Sequence, residues 1–325
     1  MGFLAIDVGG TKTQIGFFED LNRIEFTHIE RFKSNEFESL EAIIELFVES
    51  KKVKVQEIGI GIAGPVLEGI CHTTNLPWIV DQYKIMNHFK LKRCLMVNDL
   101  VANAYGLLGL KEEEKVVVQK GIVSLKGNKG LISPGTGLGE AGLFFDGKIY
   151  HPFPTEGGHC DFAPMNEEEI ELLKFLKKEF SHVSYERILS GYGFNHLYQF
   201  YTQYLDFPKV SSIEAISNLN ERPKEITTLA QSKNQLTCQK IVETFYKILA
   251  AEASNLALKM YALGGIYIGG GIITKILPLL DKKRFIKTFK DKGRFHDWLN
   301  YMSITVINDE KAALKGAASM LKIKK

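Results

Sequence analysis

Cysteine is scarce in this chain, with four residues among 325: Cys71, Cys94, Cys160 and Cys238. No two of them form a CxxC pair, so neither a zinc site nor a redox motif is expected. Sparse cysteines suit a reducing compartment, and we expect a cytoplasmic protein. The opening residues 1–7 reach an acidic side chain too early for a secretory signal peptide.

A large charge of one sign is also lacking. Lys and Arg total 41 and Asp and Glu total 38, which leaves a net charge of +3. That balance favours neither a nucleic acid nor an anionic membrane as partner. No apolar run reaches the roughly 18–20 residues that span a membrane. The chain is 45% hydrophobic and 24% charged, which is typical of a globular protein, and its length suggests about two domains.

Two glycine turns interrupt apolar strands in the same way. Residues 3–18 surround Gly9-Gly10, and residues 129–145 surround the run from Gly135 to Gly139. Both patterns predict β-hairpins, and their recurrence indicates a duplicated architecture. Further strands are predicted at 57–63, 93–97, 115–119, 264–271 and 303–307, and helices at 37–49, 100–108, 167–180, 235–263 and 310–321.

Asn98-Asp99, at the end of the strand predicted for 93–97, is the most informative pair. A carboxylate at a strand end suits a general base, although Asp also suits the N-cap of the following helix. Glycine turns suit phosphates because bare backbone N–H groups can approach an anion closely. One candidate base between two candidate anion sites suggests phosphoryl transfer.

The first turn also carries candidates for metal and phosphate contacts. Asp7 could hold a hydrated Mg²⁺ while Thr11 and Lys12 contact phosphates. The turn is not a Walker A loop, because no Gly-Lys-Ser/Thr opens a helix there. The alternative is a plain hairpin turn. In the second turn, alternating glycines are costly in a strand unless a ligand or backbone approaches closely, which favours a phosphate role.

Three further motifs have both a functional and a plain interpretation. Gly269–Gly271 could contact a nucleotide or simply begin a helix. Glu156 and His159, beside two glycines, could bind vicinal hydroxyls or form a solvated turn. Glu186 could bind a ligand or pair with Arg187 on a helix face.

Together these motifs resemble the bacterial glucokinases, hexokinase-type enzymes of the sugar-kinase and actin-like ATPase superfamily. The resemblance covers nearly the whole chain. The strings that carry it are residues 7–11, Thr74-Asn75, 97–99, 135–139, 156–164, 186–191, 269–272 and 291–295.

The resemblance implies an α/β, two-domain actin-like ATPase (ribonuclease H-like) fold with an active-site cleft between the domains. We expect a small α/β domain of residues 1–109 plus 304–325 and a large α+β domain of residues 110–303. The implied activity is ATP-dependent phosphorylation of D-glucose to glucose 6-phosphate with Mg²⁺, by a cytoplasmic homodimer.

The resemblance also implies a role for each candidate residue. Asp99 would accept the proton of the sugar 6-hydroxyl, and Asp7 would bind the metal. Glucose would be bound by Asn98, Asp99, Glu156, His159 and Glu186. ATP would be bound by Asp7, Gly9, Gly10, Thr11, Lys12, Gly135, Thr136, Gly137, Gly269, Gly270 and Gly271.

Two departures from the family pattern matter. Lys12 stands where many of these glucokinases have Asn, so a phosphate contact by Lys12 would be a departure from the family pattern. The zinc-binding Cys cluster of the wider repressor/kinase (ROK) family is missing after His159, which indicates the zinc-free glucokinase branch.

Three alternatives remain open at this stage. One is a kinase for another hexose or for an N-acetylhexosamine. A second is a sugar-responsive transcription regulator, disfavoured because the chain begins directly on the first predicted strand. A third is an actin-like filament or simple ATPase, which would leave Glu156, His159 and Glu186 without a purpose.

Overall fold

The first glycine turn joins the antiparallel strands Gly2–Val8 and Lys12–Phe18, which form the predicted hairpin. The structure is a computed structural model, and it describes residues 1–73, 76–122, 126–232, 235–309 and 311–322. The chain forms two compact units, unit 1 with Met1–Glu114 and Asp309–Lys325, and unit 2 with Lys115–Asn308.

The strands are Gly2–Val8 (β1), Lys12–Phe18 (β2), His28–Lys33 (β3), Val55–Ile62 (β4), Val66–Leu67 (β5), Ile70–His72 (β6), Ile79–Asp81 (β7), Arg93–Asn98 (β8), Lys115–Gln119 (β9), Lys129–Pro134 (β10), Leu138–Phe145 (β11), Tyr150–Thr155 (β12), Ile266–Ile268 (β13) and Ile304–Ile307 (β14). The α-helices are Leu40–Lys51 (α1), Gln82–His88 (α2), Asp99–Leu107 (α3), Glu167–Leu176 (α4), Gly191–Gln199 (α5), Ser211–Glu214 (α6), Arg222–Gln231 (α7), Leu236–Met260 (α8), Gly271–Ile276 (α9), Lys282–Phe289 (α10) and Ala312–Ser319 (α11).

Unit 1 is built on a sheet of order β3-β2-β1-β4-β8, in which β1, β4 and β8 run parallel. Side chains of β1 alternate between two cores because successive residues of a strand point to opposite faces. Leu4 and Ile6 pack into the core that α1 covers. Phe3 and Ala5 pack against the small residues of α11. The final helix therefore returns to the first unit.

Unit 2 repeats this arrangement with a sheet of order β12-β11-β10-β13-β14-β9. Across this sheet, β12, β11 and β10 pair antiparallel, and β10, β13 and β14 then pair parallel. The same order occurs in unit 1, where β3, β2 and β1 pair antiparallel and β1, β4 and β8 pair parallel. The buried helix α8 packs in the same core as this sheet, with Leu249, Ala253 and Leu256 fully or almost fully buried. The duplicated architecture expected from the two glycine turns is therefore present.

The unit boundaries differ from the expected 109/110 and 303/304. They fall at Glu114/Lys115 and Asn308/Asp309, because β9 begins at Lys115 and pairs with β14 in the sheet of unit 2. The helix predicted from 37 begins at Leu40, where the Ser39 side chain caps it by accepting from the Ala42 N–H at 3.2 Å. The expected residues Thr74, Asn75 and Glu310 lie outside the described part of the chain.

Candidate active site

The first glycine turn is held by a buried serine that no sequence pattern marked. Ser34 directly follows β3; its N–H donates to the Thr11 carbonyl at 3.1 Å, and its Oγ donates to the Gly9 carbonyl at 3.2 Å. The same Oγ lies 3.0 Å from the Thr13 hydroxyl. The turn backbone is therefore fixed, while Thr11 and Lys12 remain exposed to solvent.

Asp7 is a half-buried carboxyl near the end of β1. Its pKa is raised to about 7, chiefly by burial and also by the negative charge of Asp99, against the opposing positive charge of Arg31. The carboxyls of Asp7 and Asp99 thus act on each other electrostatically. Two acidic groups beside a phosphate-type turn fit Mg²⁺, which takes oxygen ligands and uses one or two carboxylates together with substrate phosphates.

The contacts of Asn98 and Asp99 show which of the two side chains caps the helix. The Asn98 side chain caps α3 by accepting from the Leu100 N–H at 2.9 Å, and its amide donates to the Gly64 carbonyl at 3.1 Å. Asp99 is the first residue of the helix, and its carboxylate also lies 2.9 Å from the Leu100 nitrogen. Because Asn98 already supplies the cap, the Asp99 carboxylate is not required for it.

In unit 2, the second glycine turn is closed by two short bonds. The Gly135 N–H donates to the Gly137 carbonyl at 2.8 Å, and the Gly191 N–H donates to the Gly135 carbonyl at 2.9 Å. The Glu186 carboxylate accepts from the Leu138 N–H at 2.9 Å, at the end of this turn. Glu186 therefore lies against the turn, while the guanidinium of Arg187, its alternative partner, stacks 4.1 Å from the Phe180 ring centre.

The third glycine run lies at the same edge of that sheet. β13 and β10 are parallel neighbours, so the run after Ile268 and the turn after Pro134 emerge side by side. Gly270 has φ = 93°, and any side chain there would collide with the Pro134 carbonyl. Only glycine adopts this conformation without strain, so the position is constrained by the backbone itself.

Glu156 and His159 lie on a short segment, Thr155–His159, that we call the strap. Both side chains are exposed, and the His159 N–H donates to the Glu156 carbonyl at 3.0 Å. The Thr155 hydroxyl donates to the Glu140 carbonyl and accepts from the Gly157 N–H, each at 3.2 Å. The strap thus presents an acid and an imidazole from one anchored turn.

Each unit gathers its own set of the predicted residues. Unit 1 holds Asp7, the first turn and the Asn98-Asp99 corner, and unit 2 holds the other two glycine runs, the strap and Glu186. Within the described ranges, no group of three or more His, Cys, Asp or Glu side chains could hold a metal ion. Among the same residues, no helix has the length and apolar character to cross a membrane.

Comparison with known proteins gives a family match over almost the full chain. The glucokinase family model matches residues 4–324. The chain belongs to the glucokinase family. The resemblance inferred from the motifs is thereby confirmed.

Curated glucokinases align with this family member from end to end. The glucokinase of Nostoc punctiforme is 34% identical over 331 residues, covering 97% of each chain. The glucokinase of Tolumonas auensis is 32% identical over 320 residues, covering 98% of this chain and 96% of its own.

Solved structures of glucokinases share the fold. A glucokinase from an Antarctic psychrotroph superposes with a TM-score of 0.84 at 28% identity, covering 98% of both chains. A ROK family glucokinase from Streptomyces griseus, in complex with glucose and AMPPNP, gives 0.67 at 18% identity, covering 98% of this chain and 99% of its own. The expected α/β, two-domain actin-like ATPase fold is confirmed.

Proposed function

We propose that this chain transfers the γ-phosphoryl group of ATP to the 6-hydroxyl of D-glucose. Membership of the glucokinase family supports the reaction. The observation that carries the assignment of the base is the Asn98-Asp99 corner. Asn98 caps the helix, so the carboxylate beside it has a role open to it other than capping.

In the proposed mechanism, Asp99 accepts the proton of the 6-hydroxyl as that oxygen attacks phosphorus. General-base catalysis of this kind contributes about 10²–10⁴-fold. Asn98, Glu156, His159 and Glu186 bind the other sugar hydroxyls and orient the acceptor. Most of the rate enhancement comes from such positioning and from preorganised charge, because phosphoryl transfer demands little covalent work from the protein.

The glycine runs and the first turn are the proposed contacts of ATP. Backbone N–H groups of the turns, with Thr11 and Lys12, face the phosphates, and Gly269–Gly271 borders the adenosine. Asp7 would hold Mg²⁺, which when bound offsets the negative charge of the phosphates. The mutual repulsion of the Asp7 and Asp99 carboxyls supports a cation there. We further propose that the enzyme is a cytoplasmic homodimer, as the family resemblance implies.

Replacing Asp99 by Asn tests the role of the base directly. Asn keeps the shape and can cap a helix but cannot take a proton, so we expect kcat to fall by about 10²-fold or more with glucose affinity largely retained. A coupled assay with ATP, Mg²⁺ and a panel of hexoses and N-acetylhexosamines measures both the activity and its specificity.

Asp81→Asn is the matched control. Asp81 caps α2 by accepting from the Tyr83 N–H at 2.8 Å and the Lys84 N–H at 3.2 Å, and its replacement should leave kcat unchanged. If Asp99→Asn behaves like this control, Asp99 is a structural residue. Turnover of an N-acetylhexosamine in place of glucose would favour the alternative kinase.

A further inference from the structure

Two buried glutamates lie in the core of unit 2, outside every role assigned above. Glu140 on β11 is 2% exposed and Glu252 on α8 is fully buried. Their carboxyl groups are within hydrogen-bonding reach of each other. Among the described residues, the Oε1 atom of each lacks a hydrogen-bond partner. Two ionised carboxylates only accept, so the contact satisfies both groups only if one of them carries a proton.

The surroundings supply only partial compensation for two negative charges. Lys259 Nζ lies 3.6 Å from Glu252 Oε1, and Lys292 also faces Glu252. Burial lowers the pKa of Lys292, and the negative charges of Asp291 and Glu169 also act on this lysine. Two adjacent carboxylates in a buried site disfavour double ionisation, since desolvation and like-charge repulsion act together.

The pKa shifts agree with this geometry. The pKa of Glu140 is raised to about 8, chiefly by burial and also by the charge of Glu252, against the opposing charge of Lys259. Burial likewise raises the pKa of Glu252, against hydrogen bonds from Asn255 and Tyr185 and the charge of Lys259.

Each carboxyl of the pair touches a different sugar-binding segment. The strap passes directly over Glu140, so that any side chain at Gly157 would collide with the Glu140 carboxyl. Glu252 Oε2 accepts from the Asn255 amide at 2.8 Å, and that amide also donates to the Tyr185 hydroxyl at 3.0 Å. Tyr185 immediately precedes Glu186.

We propose that Glu140 and Glu252 share one proton at neutral pH and, as positioning residues, hold Glu156, His159 and Glu186 in register for the sugar. This rests on the proposed function of those three residues. With one proton, one carboxyl donates to the other and a single negative charge faces Lys259. Without it, two charges repel, and the strap and the Tyr185-Glu186 segment separate.

The expected pH dependence follows from the raised pKa. The folded protein keeps the proton up to about pH 8, whereas an unfolded glutamate releases it near 4.5. The stabilising effect is fully present below 4.5, is lost as pH rises towards 8, and is absent above it. Sugar binding follows the folded protein alone and weakens only as pH passes through about 8.

Steady-state kinetics between pH 6.5 and 9.5 test the pair. From pH 7 to pH 9 the protonated fraction falls about tenfold, so KM for glucose should rise by up to about tenfold, and KM for ATP should rise less because only Glu186 supports the ATP-side turn. In Glu140→Gln the amide donates permanently, and KM for glucose should stay low throughout. Glu243→Gln is the control: Glu243 is an exposed residue on α8, the helix that carries Glu252, and this variant should retain the native pH profile.

A flat glucose KM in the native protein, or a rise that persists in Glu140→Gln, would overturn the proposal. Glu252→Gln repeats the test from the other side if Glu140→Gln folds poorly. Urea midpoints from pH 5 to 8 give a readout independent of activity: the native protein should lose stability relative to Glu140→Gln. If the native protein loses stability with rising pH in this way but does not phosphorylate glucose, the proposed function is rejected and the proton-sharing pair is retained.

Discussion

Glu186 supports the second glycine turn and, in the proposed function, also binds the sugar. One of its oxygens, Oε2, accepts from the Leu138 N–H, which ends the second glycine turn. A carboxylate has a second oxygen, which is available to a sugar hydroxyl in the proposed function. Glu156, by contrast, is exposed on the strap. The two acids should therefore differ in how their loss affects the two substrates.

Glu186→Ala should raise KM for both glucose and ATP, whereas Glu156→Ala should raise KM for glucose alone. Losing a hydrogen bond to a charged group costs about 1.5–3 kcal/mol, which corresponds to roughly tenfold to a hundredfold in affinity. Separate titrations of glucose and ATP in both variants measure the contrast. An unchanged KM for ATP in Glu186→Ala would mean that this carboxylate does not support the turn.

Sequence patterns located the residues with evident chemistry and missed those that hold them. Asn98-Asp99 and the glycine turns were recognisable because each is a local string. Ser34 supports Gly9 across 25 positions, and that contact depends on the register of β3 against β2. Glu140 and Glu252 come together only when α8 packs on the sheet. A long-range contact of this kind leaves no local pattern.

At the scale of elements, the parallel strands β10 and β13 place two glycine runs at one edge. The Gly269 N–H donates to the Ile132 carbonyl at 2.9 Å, which ties the two strand ends together. Gly270 then turns away at φ = 93° against the Pro134 carbonyl. The edge at which we propose that the nucleotide binds therefore depends on one backbone conformation.

Gly270→Ala should damage ATP binding more than glucose binding. A Cβ there is strained by the positive φ and collides with backbone, so we expect a loss of more than about 1 kcal/mol in stability and a higher KM for ATP. Gly109→Ala is the control, because its Cβ would meet its nearest neighbour at 3.9 Å. Thermal unfolding measures the loss of stability in both variants, and ATP titration measures KM for ATP. An unaltered KM for ATP in Gly270→Ala would mean that the nucleotide binds elsewhere.

Helices and strands with a continuous apolar pattern were predictable from the sequence, whereas a strand at the edge of a sheet was not. The strand at 115–119 and the long helix within 235–263 were found because their apolar patterns are continuous. β3 was missed because it is an edge strand with one buried hydrophobic residue, Phe32. The helix expected to reach 180 ends at Leu176, where tighter turns continue the same apolar spacing.

At the scale of the whole molecule, two units repeat one sheet plan. A glycine turn lies between the antiparallel strands β1 and β2 in unit 1 and between β10 and β11 in unit 2. The chain closes unit 1 with α11 packed on β1 and α3. The proposed metal ligand, Asp7, belongs to the first repeat. The cysteines are dispersed between the units and do not form a cluster.

Turnover should require Mg²⁺ and no zinc. Carboxylate and phosphate oxygens suit Mg²⁺, whereas a structural zinc site needs about four Cys or His ligands in one place. Elemental analysis of the purified protein should find far less than one zinc per chain. Chelation by EDTA should stop the reaction and added Mg²⁺ restore it. One tightly held zinc per chain, needed for activity, would contradict this expectation.

The distribution of thiols gives this protein a built-in attachment point. Cys71, Cys94 and Cys238 are buried, whereas Cys160 is exposed and directly follows His159 on the strap. A thiol-reactive fluorophore will therefore attach to the native chain at one position, beside the proposed sugar-binding residues. Its emission can report strap occupancy without any turnover. The three buried thiols will react with the same reagent only when the protein unfolds.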